Sequence, residues 1–418
     1  MIAIDFGTTN SSVAIASEGD PGPRILQVEY GDPDSYDSNV LPSVVCECQT
    51  LACRDQRDTY GHEALRHGFE LQHNSTLLQE MKLYFDRSTI DPPTLVESKI
   101  ITALREEGGV LNPMTKVQRF AHYKGEVPLR PEEFVPATAK LVAHIMDRGK
   151  ATRADRNEIA IGFPASFHAK GVRYLREAVK RGAFAGAGDY DRIFLYLEPI
   201  AAARAYMKIA KGNTLVLDYG GGTLDIAVIT VEDPQKLHES SPRISGFPEA
   251  GSKMDEAIVD YCLSKDHKIQ KWFDDQPLRA KLRFRSAVEK AKIALSKQRE
   301  VSIDLPGSGL ASIVLSAPDI AFALQPIMTR MVAKITQTVA DAVGSIDKIN
   351  FVVMSGGTSL NKVVQTSIVA MFNHLSEKEF VLPDVNDAES VRTCLCAIAK
   401  GLALLRSDGY PSVNLPQE

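Results

Sequence analysis

Two short stretches of this 418-residue chain place an aspartate directly before a turn rich in glycine and threonine. Residues 2–15 read IAIDFGTTNSSVAI and residues 215–228 read LVLDYGGGTLDIAV. They align without a gap, so that Asp5 matches Asp218, Phe6 matches Tyr219 and Gly7 matches Gly220. The chemistry such a turn offers is phosphate binding. Gly220, Gly221 and Gly222 lack Cβ atoms, so successive backbone N–H groups can converge on an anion at close range. Thr8, Thr9 and Thr223 add hydroxyl donors, and Asn10 closes the first turn. Asp5 and Asp218, each at a strand end, can hold Mg²⁺ through its waters, the usual mode of this cation beside phosphates. One such hairpin has little specificity, whereas two aligned copies half a chain apart point to one shared site.

The elements that must position these turns also recur. Each hairpin is an aliphatic strand, an Asp, a tight turn and a returning strand. Later in each half comes a strand followed by a helix. Residues 158–164 (EIAIGFP) precede a helical stretch to about Gly182, and residues 350–356 (NFVVMSG) lead through Gly357 and Thr358 into a helix ending near Phe372. In that second helix Val363, Val364, Ile368, Met371 and Phe372 recur at helical spacing. Two such halves predict a pseudo-symmetric, two-lobed α/β protein.

Composition narrows the partners. The net charge of −5 gives no electrostatic case for nucleic acid or a membrane surface. No apolar run approaches the roughly 20 residues of a membrane helix, and Met1 leads straight into an apolar strand rather than a basic leader, so a cytoplasmic location is expected. Cys46, Cys48 and Cys53 lie close in sequence, as do Cys394 and Cys396. Cys-x-Cys is not the usual zinc spacing, which favours reduced thiols over a metal.

At these motifs the chain resembles the ATPase domain of the DnaK-type heat-shock proteins. DFGTTNSSVA (Asp5–Ala14) and LDYGGGTLDIAV (Leu217–Val228) are similar to that family's two phosphate loops, YLEPIAAARAY (Tyr196–Tyr206) to its connecting segment and MSGGTS (Met354–Ser359) to its adenosine motif. Weaker matches stand at Leu41–Ser43, Tyr60–Ala64, residues 123–126 and Phe163–Phe167. The resemblance implies a two-lobed actin-like ATPase fold, a pair of duplicated ribonuclease-H-like domains, with four subdomains around a nucleotide cleft. The first lobe is expected over residues 1–206, with its core at 1–40 and 131–206 and a small subdomain at 41–130. The second is expected over 207–408, with its core at 207–246 and 313–408 and a small subdomain at 247–312. Residues 409–418 form a polar tail.

The resemblance also assigns roles. Lys82, with Lys99 as its rival, orients the γ-phosphate and the attacking water of ATP. Glu198 contacts that water or a metal-bound one, from a helix start set by Pro199. Asp225 orders water or a monovalent cation such as K⁺. Gly251 closes over the phosphates. Arg285, Glu289, Lys292 and Ser296 share one helix face by their spacing, beside an apolar stripe of Leu278, Leu282, Val288, Ala291 and Leu295. Of these, Glu289, Lys292 and Ser296 fall where the family binds the ribose and base, opposite Gly356, Gly357 and Thr358.

Two departures qualify the resemblance. The arginines that sandwich adenine in the family are Ile293 and Leu360 here, which predicts an apolar clamp in place of cation–π stacking. After Leu405 the chain reads only SDGYPSVNLPQE beyond one arginine, so a peptide-binding domain is not expected. The leading expectation is therefore a slow, ATP-hydrolysing switch, using ATP/ADP and Mg²⁺, read by an unidentified protein partner. A small-molecule kinase and an actin-like filament former are the alternatives within the same superfamily.

Overall fold

A computed structural model describes residues 1–17, 20, 22–28, 39–48, 58–70, 75–78, 81–85, 117–119, 131–152, 157–184, 192–206, 212–232, 242–276 and 278–414. Lys99, Cys53, residues 123–126 and residues 415–418 lie outside them.

The first hairpin forms as β1 (Ile2–Phe6) and β2 (Asn10–Ile15), antiparallel, with Asp5 opposite Ser12. Strands β3 (Arg24–Ile25) and β4 (Val40–Pro42) both pair with β2. Strands β5 (Val45–Cys48), β6 (Thr59–Tyr60), β7 (Ser75–Leu78) and β8 (Val117–Arg119) make a separate small sheet in the order β6-β5-β7-β8. It carries α1 (Gly61–Glu70), and the short α2 (Met81–Tyr84) follows β7. After α3 (Pro131–Arg148), strands β9 (Ile159–Phe163) and β10 (Ile193–Leu197) flank α4 (Ala169–Phe184) and complete the first large sheet, β10-β9-β1-β2-β3. A helix, α5 (Glu198–Ala205), then leaves β10 directly.

The second lobe repeats the plan. Strands β11 (Gly212–Tyr219) and β12 (Leu224–Val231) form the second hairpin, with Asp218 opposite Asp225. With β13 (Arg243–Phe247) they enter a sheet completed by two later strands. Between come α6 (Gly251–Ser264), α7 (His267–Asp274), α8 (Leu278–Ala294) and the hairpin β14 (Glu300–Ile303)–β15 (Ile313–Ser316). The long α9 (Ala317–Val343) leads to β16 (Phe351–Ser355), α10 (Lys362–Met371) and β17 (Phe380–Val381), then α11 (Ala388–Leu395) and α12 (Ala397–Ser407). The order β17-β16-β11-β12-β13 matches that of the first large sheet strand for strand, including the parallel pairs β1–β9 and β11–β16. This is the two-lobed, actin-like α/β fold. Its central strands are buried on both faces, which is why they read as unbroken apolar runs.

Two boundaries shift. Strand β4 crosses the expected division at residue 41, because Leu41 and Pro42 continue the pairing with β2. The hairpin β14–β15 likewise straddles residue 313, because Ile303 pairs with Ile313. Backbone hydrogen bonding, invisible in a motif alignment, sets both. Each lobe has its own aliphatic core. Between them lies a third cluster built largely of small residues, among them Ala3, Ala160, Ala201, Ala227, Ala399 and Ala403. There α5 and α12 meet so closely that a Cβ on Gly401 would sit 1.7 Å from the Ala201 carbonyl oxygen. No helix among the described residues is long and apolar enough to cross a membrane.

Candidate active site

The turns after β1 and β11 come together at their tips. A Cβ on Gly221 would fall 1.7 Å from Thr9 Oγ1, so glycine there lets the two hairpins touch. Gly7 is equally constrained, since its Cβ would fall 2.0 Å from the Asn10 carbonyl oxygen inside its own turn. The Gly220 amide closes the second turn on the Thr223 carbonyl at 3.0 Å, leaving Gly221 and the buried Gly222 at its apex. Thr8 is buried at the first turn, and the Thr9 carbonyl is tied to the Ser43 amide at 2.7 Å. The Thr223 hydroxyl donates to Asp225 Oδ2 at 3.1 Å.

Behind the second turn stands α6. Its first two amides, Gly251 and Ser252, donate to the carbonyls of Gly220 (3.3 Å) and Gly221 (2.7 Å), and Thr358 Oγ1 adds a bond to Gly220 at 2.6 Å. A Cβ on Gly251 would crowd Thr358 Oγ1 at 2.8 Å, so this glycine packs the turn against the Gly356–Thr358 segment.

Carboxylates and one lysine fill the floor. Met81 and Phe85 are buried in the first lobe's core and peg α2 there, which turns Lys82 inward. Lys82 is 3% exposed and pairs with Glu198 Oε1. Glu198 is the first residue of α5; Leu197 is the N-cap and Pro199 follows as the second helical residue, so the glutamate is helical rather than a cap. Gly162 on β9 makes its room, because a Cβ there would lie 2.9 Å from Glu198 Cγ. Asp218 accepts from Ser355 Oγ at 2.8 Å, and Asp225 accepts from the Ala165 amide of the first lobe at 2.7 Å.

Glu198, Asp218 and Asp225 each present a carboxylate oxygen within 4.8 Å of the others, the one group of metal-ligating side chains so arranged among the described residues. Asp5 stands outside this trio, and Asp225, expected only to order water or K⁺, stands in it. Burial pushes Asp218 up to about 6 and Asp225 up to about 8, with Glu198 adding to both. Burial also holds Asp5 well above the usual carboxylate range, against the pull of Lys82. Burial alone would lower Lys82, but Glu198 and Asp5 outweigh it and raise the ammonium. Four carboxyl groups thus face one cation in a site withdrawn from water. That imbalance favours an incoming cation with oxygen-ligand preference.

On the nucleoside side, Lys292 ties α8 to α6 through Asp255 Oδ1 (2.7 Å) and the Gly251 carbonyl (3.2 Å), and Arg285 reaches Glu256 at 3.5 Å. Glu289 is half-buried. Ser296 lies past the end of α8, in a turn where its amide reaches the Ile293 carbonyl at 3.1 Å. Val288, Ala291 and Leu295 are buried as the stripe predicts, while the side chains of Leu278 and Leu282 fall outside the description. The two-sided apolar clamp is revised. Ile293 is 42% exposed, but Leu360 packs into its own cluster with Val385, Val391 and Cys394. The cysteines Cys46, Cys262, Cys394 and Cys396 are buried.

Sequence reasoning missed Gly162, Ser355, Asp255 and Ala165. Gly162 had a signal, a glycine breaking the strand EIAIGFP, where close approach of another group is the common cause. The others act through contacts remote in sequence.

A family model described as Hsp70 protein matches residues 1–401. The chaperone protein DnaK of Thermus thermophilus is 29% identical over 382 residues, covering 87% of this chain and 55% of that protein. The chaperone protein DnaK of Buchnera aphidicola is 25% identical over 410 residues, covering 94% of this chain and 58% of its own length. The chain therefore spans somewhat over half the length of these relatives. With the family model covering nearly all of the chain, and with both hairpins in place, the chain belongs to the Hsp70 family.

Proposed function

We propose that this chain binds ATP with Mg²⁺ between its lobes and hydrolyses it slowly, as a chaperone-type nucleotide switch. The observation that carries this reading is the buried Lys82–Glu198 pair set among Asp5, Asp218 and Asp225. Burying these charges costs several kcal/mol per ion unless bound partners compensate them. The residues fit the expected ligands. Three carboxylates converge as a hard, oxygen-preferring cation requires. At the Gly221 apex any Cβ would collide with Thr9, and a turn without side chains suits backbone N–H groups that approach an anion closely.

Mg²⁺ held by Glu198, Asp218 and Asp225, with Asp5 acting through water, would neutralise charge on the phosphates. Lys82 spends one N–H on Glu198 and keeps two for phosphoryl oxygens. Glu198, held in place by Lys82 and by the first turn of α5, orients the water that attacks. Amides of the Gly7–Thr9 turn and of Gly221 and Gly222 at the second apex stabilise the charge that spreads over the transferred phosphoryl group. Asp225 is suited to order water or K⁺ beside it. The hairpins belong to different lobes, so a ligand bridging them favours closure by as much as it prefers the closed state. The Ala165–Asp225 bond already joins the lobes at this point. A protein partner, unidentified in its chemistry, reads the difference between ATP and ADP states.

Steady-state ATP hydrolysis by wild type, Lys82→Ala, Glu198→Ala and Asp218→Asn tests the reading. Each substitution is expected to slow turnover at least tenfold, about 1.4 kcal/mol in the barrier. Undiminished hydrolysis in all three would refute it.

A further inference from the structure

The segment from Ser355 to Thr358 braces both halves of the chemistry. Ser355 Oγ donates to Asp218 Oδ1 at 2.8 Å, and Thr358 Oγ1 donates to the Gly220 carbonyl at 2.6 Å. Between them Gly356 adopts φ +81° and ψ 153°, a backbone conformation essentially reserved for glycine. It has no lateral space either, because a Cβ would stand 2.6 Å from the Tyr219 carbonyl oxygen and 3.0 Å from Asp218 Oδ1. Such a conformation persists only where its surroundings over-determine it.

Cys394 supplies that restraint. Its carbonyl accepts from the Gly356 amide at 3.3 Å, and its thiol donates to the Gly356 carbonyl at 3.3 Å. One residue thus grips both sides of the glycine. The thiol is 1% exposed and its sulfur in turn accepts a hydrogen bond from the Tyr206 hydroxyl. Burial raises both groups, so each keeps the proton it donates. Tyr206 is the C-cap of α5, the helix whose first residue is Glu198. A single two-turn helix therefore holds Glu198 at one end and, through Tyr206 and Cys394, the support of Asp218 at the other.

We propose that Tyr206 and Cys394 are positioning residues for ATP hydrolysis: the relay from the Tyr206 hydroxyl through the Cys394 thiol to the Gly356 carbonyl locks the 355–358 peptide that aims Asp218 and the second phosphate turn. The relay requires a group at position 394 that accepts and donates at once. Serine satisfies that demand and alanine does not. This inference rests on the ATPase reading above, and its test is arranged so that the two can fail separately.

The experiment compares Cys394→Ala, Cys394→Ser, Tyr206→Phe and the Cys394→Ala/Tyr206→Phe double variant. Turnover is read as kcat and KM for ATP. Cys394→Ala and Tyr206→Phe are expected to lower kcat about fivefold with KM within about twofold, the pattern of lost transition-state positioning. The double variant is expected to be no slower than the slower single one, since both cut the same relay. Cys394→Ser is expected to recover most of the rate. Hydrogen exchange of the amides across 355–360, followed by mass spectrometry, needs no turnover. Cys394→Ala and Tyr206→Phe should speed that exchange, and Cys394→Ser should leave it near wild type. Wild-type exchange in Cys394→Ala and Tyr206→Phe would overturn the relay even in a protein that hydrolyses nothing, and so would additive losses in the double variant. Absent ATP turnover in wild type, with the exchange pattern as expected, would overturn the ATPase reading and leave the relay standing. Should Cys394→Ala fail to fold, Tyr206→Phe and Cys394→Ser carry the same comparison.

Discussion

Withdrawing Mg²⁺ while raising the pH perturbs the site in a way whose size follows from its carboxylates. Burial and Glu198 lift Asp218 to about 6 and Asp225 to about 8, from 3.8 for either group in an open chain. Above pH 5 the unfolded chain has released both protons, while the native state holds that of Asp218 until about pH 6 and that of Asp225 until about pH 8. The native state therefore binds more protons, and stability falls as the pH rises, by about 1.4 kcal/mol per pH unit for each proton retained. Between pH 6.5 and 8 Asp225 keeps most of its proton and Asp218 has lost nearly all of its own. Integrated over that window, the loss comes to about 2 kcal/mol. Asp5, also raised by burial, acts in the same direction. His144 is lowered by burial and titrates with the opposite sign, but below this window. A bound divalent cation favours the ionised carboxylates and should abolish the fall. Urea unfolding followed by far-ultraviolet circular dichroism at pH 6.5, 7.2 and 8, in EDTA and in excess Mg²⁺, measures the difference, with Asp225→Asn as the control that should lose most of the slope. A flat stability in EDTA would refute the reasoning, as would a fall that persists equally in Mg²⁺ and in Asp225→Asn.

Gly221→Ala places a methyl group 1.7 Å from Thr9 Oγ1 and so must part the hairpin tips. Affinity for ADP, measured by calorimetry, is expected to fall at least tenfold, about 1.4 kcal/mol, and wild-type affinity would show that the tips do not frame the phosphates. Of the two residues expected to flank a base, Leu360 is committed to its own cluster and Ile293 stays exposed. Discrimination between ATP and GTP in a competition assay should therefore be weak, within about tenfold, and a preference for ATP of a thousandfold would show polar readout of the base instead.

The duplicated hairpin was legible because its chemistry is local. An aspartate, its turn and the returning strand all lie within fourteen residues, and the glycines at positions 7 and 221 are forced by contacts within or between these turns. Lys82 was legible only by resemblance; no periodicity reveals that Met81 and Phe85 would anchor its short helix in the core and turn it inward. What resisted reading depends on partners far apart in the chain. Leu360 was expected at a base and found packed on residues near 385–394. Thr223, expected at the phosphates, donates its hydroxyl to the aspartate two residues on. Strand β4 and the hairpin β14–β15 crossed the expected boundaries because register, rather than motif, decides where a sheet ends.

The duplication also stops short of the chemistry. The two large sheets share strand order, and Asp5 and Asp218 hold equivalent places opposite the residues that return the hairpin. Those partners differ, being Ser12 in the first lobe and Asp225 in the second. Each lobe supplies two of the four buried carboxyl groups, Asp5 and Glu198 in the first and Asp218 and Asp225 in the second, and the second supplies two of the three that converge. The compensating cation, Lys82, comes from the first lobe, and so does the Ala165 amide that engages Asp225. A symmetric pair of hairpins would give each lobe half a site of equal charge and no reason to approach. With Lys82 and the Ala165 amide on the first lobe facing the carboxyl groups of the second, attraction across the seam is built into the site, and a ligand that adds both a cation and an anion there alters how firmly the lobes hold together. That is the physical requirement for a nucleotide switch, and it arises where the two copies of the hairpin diverge.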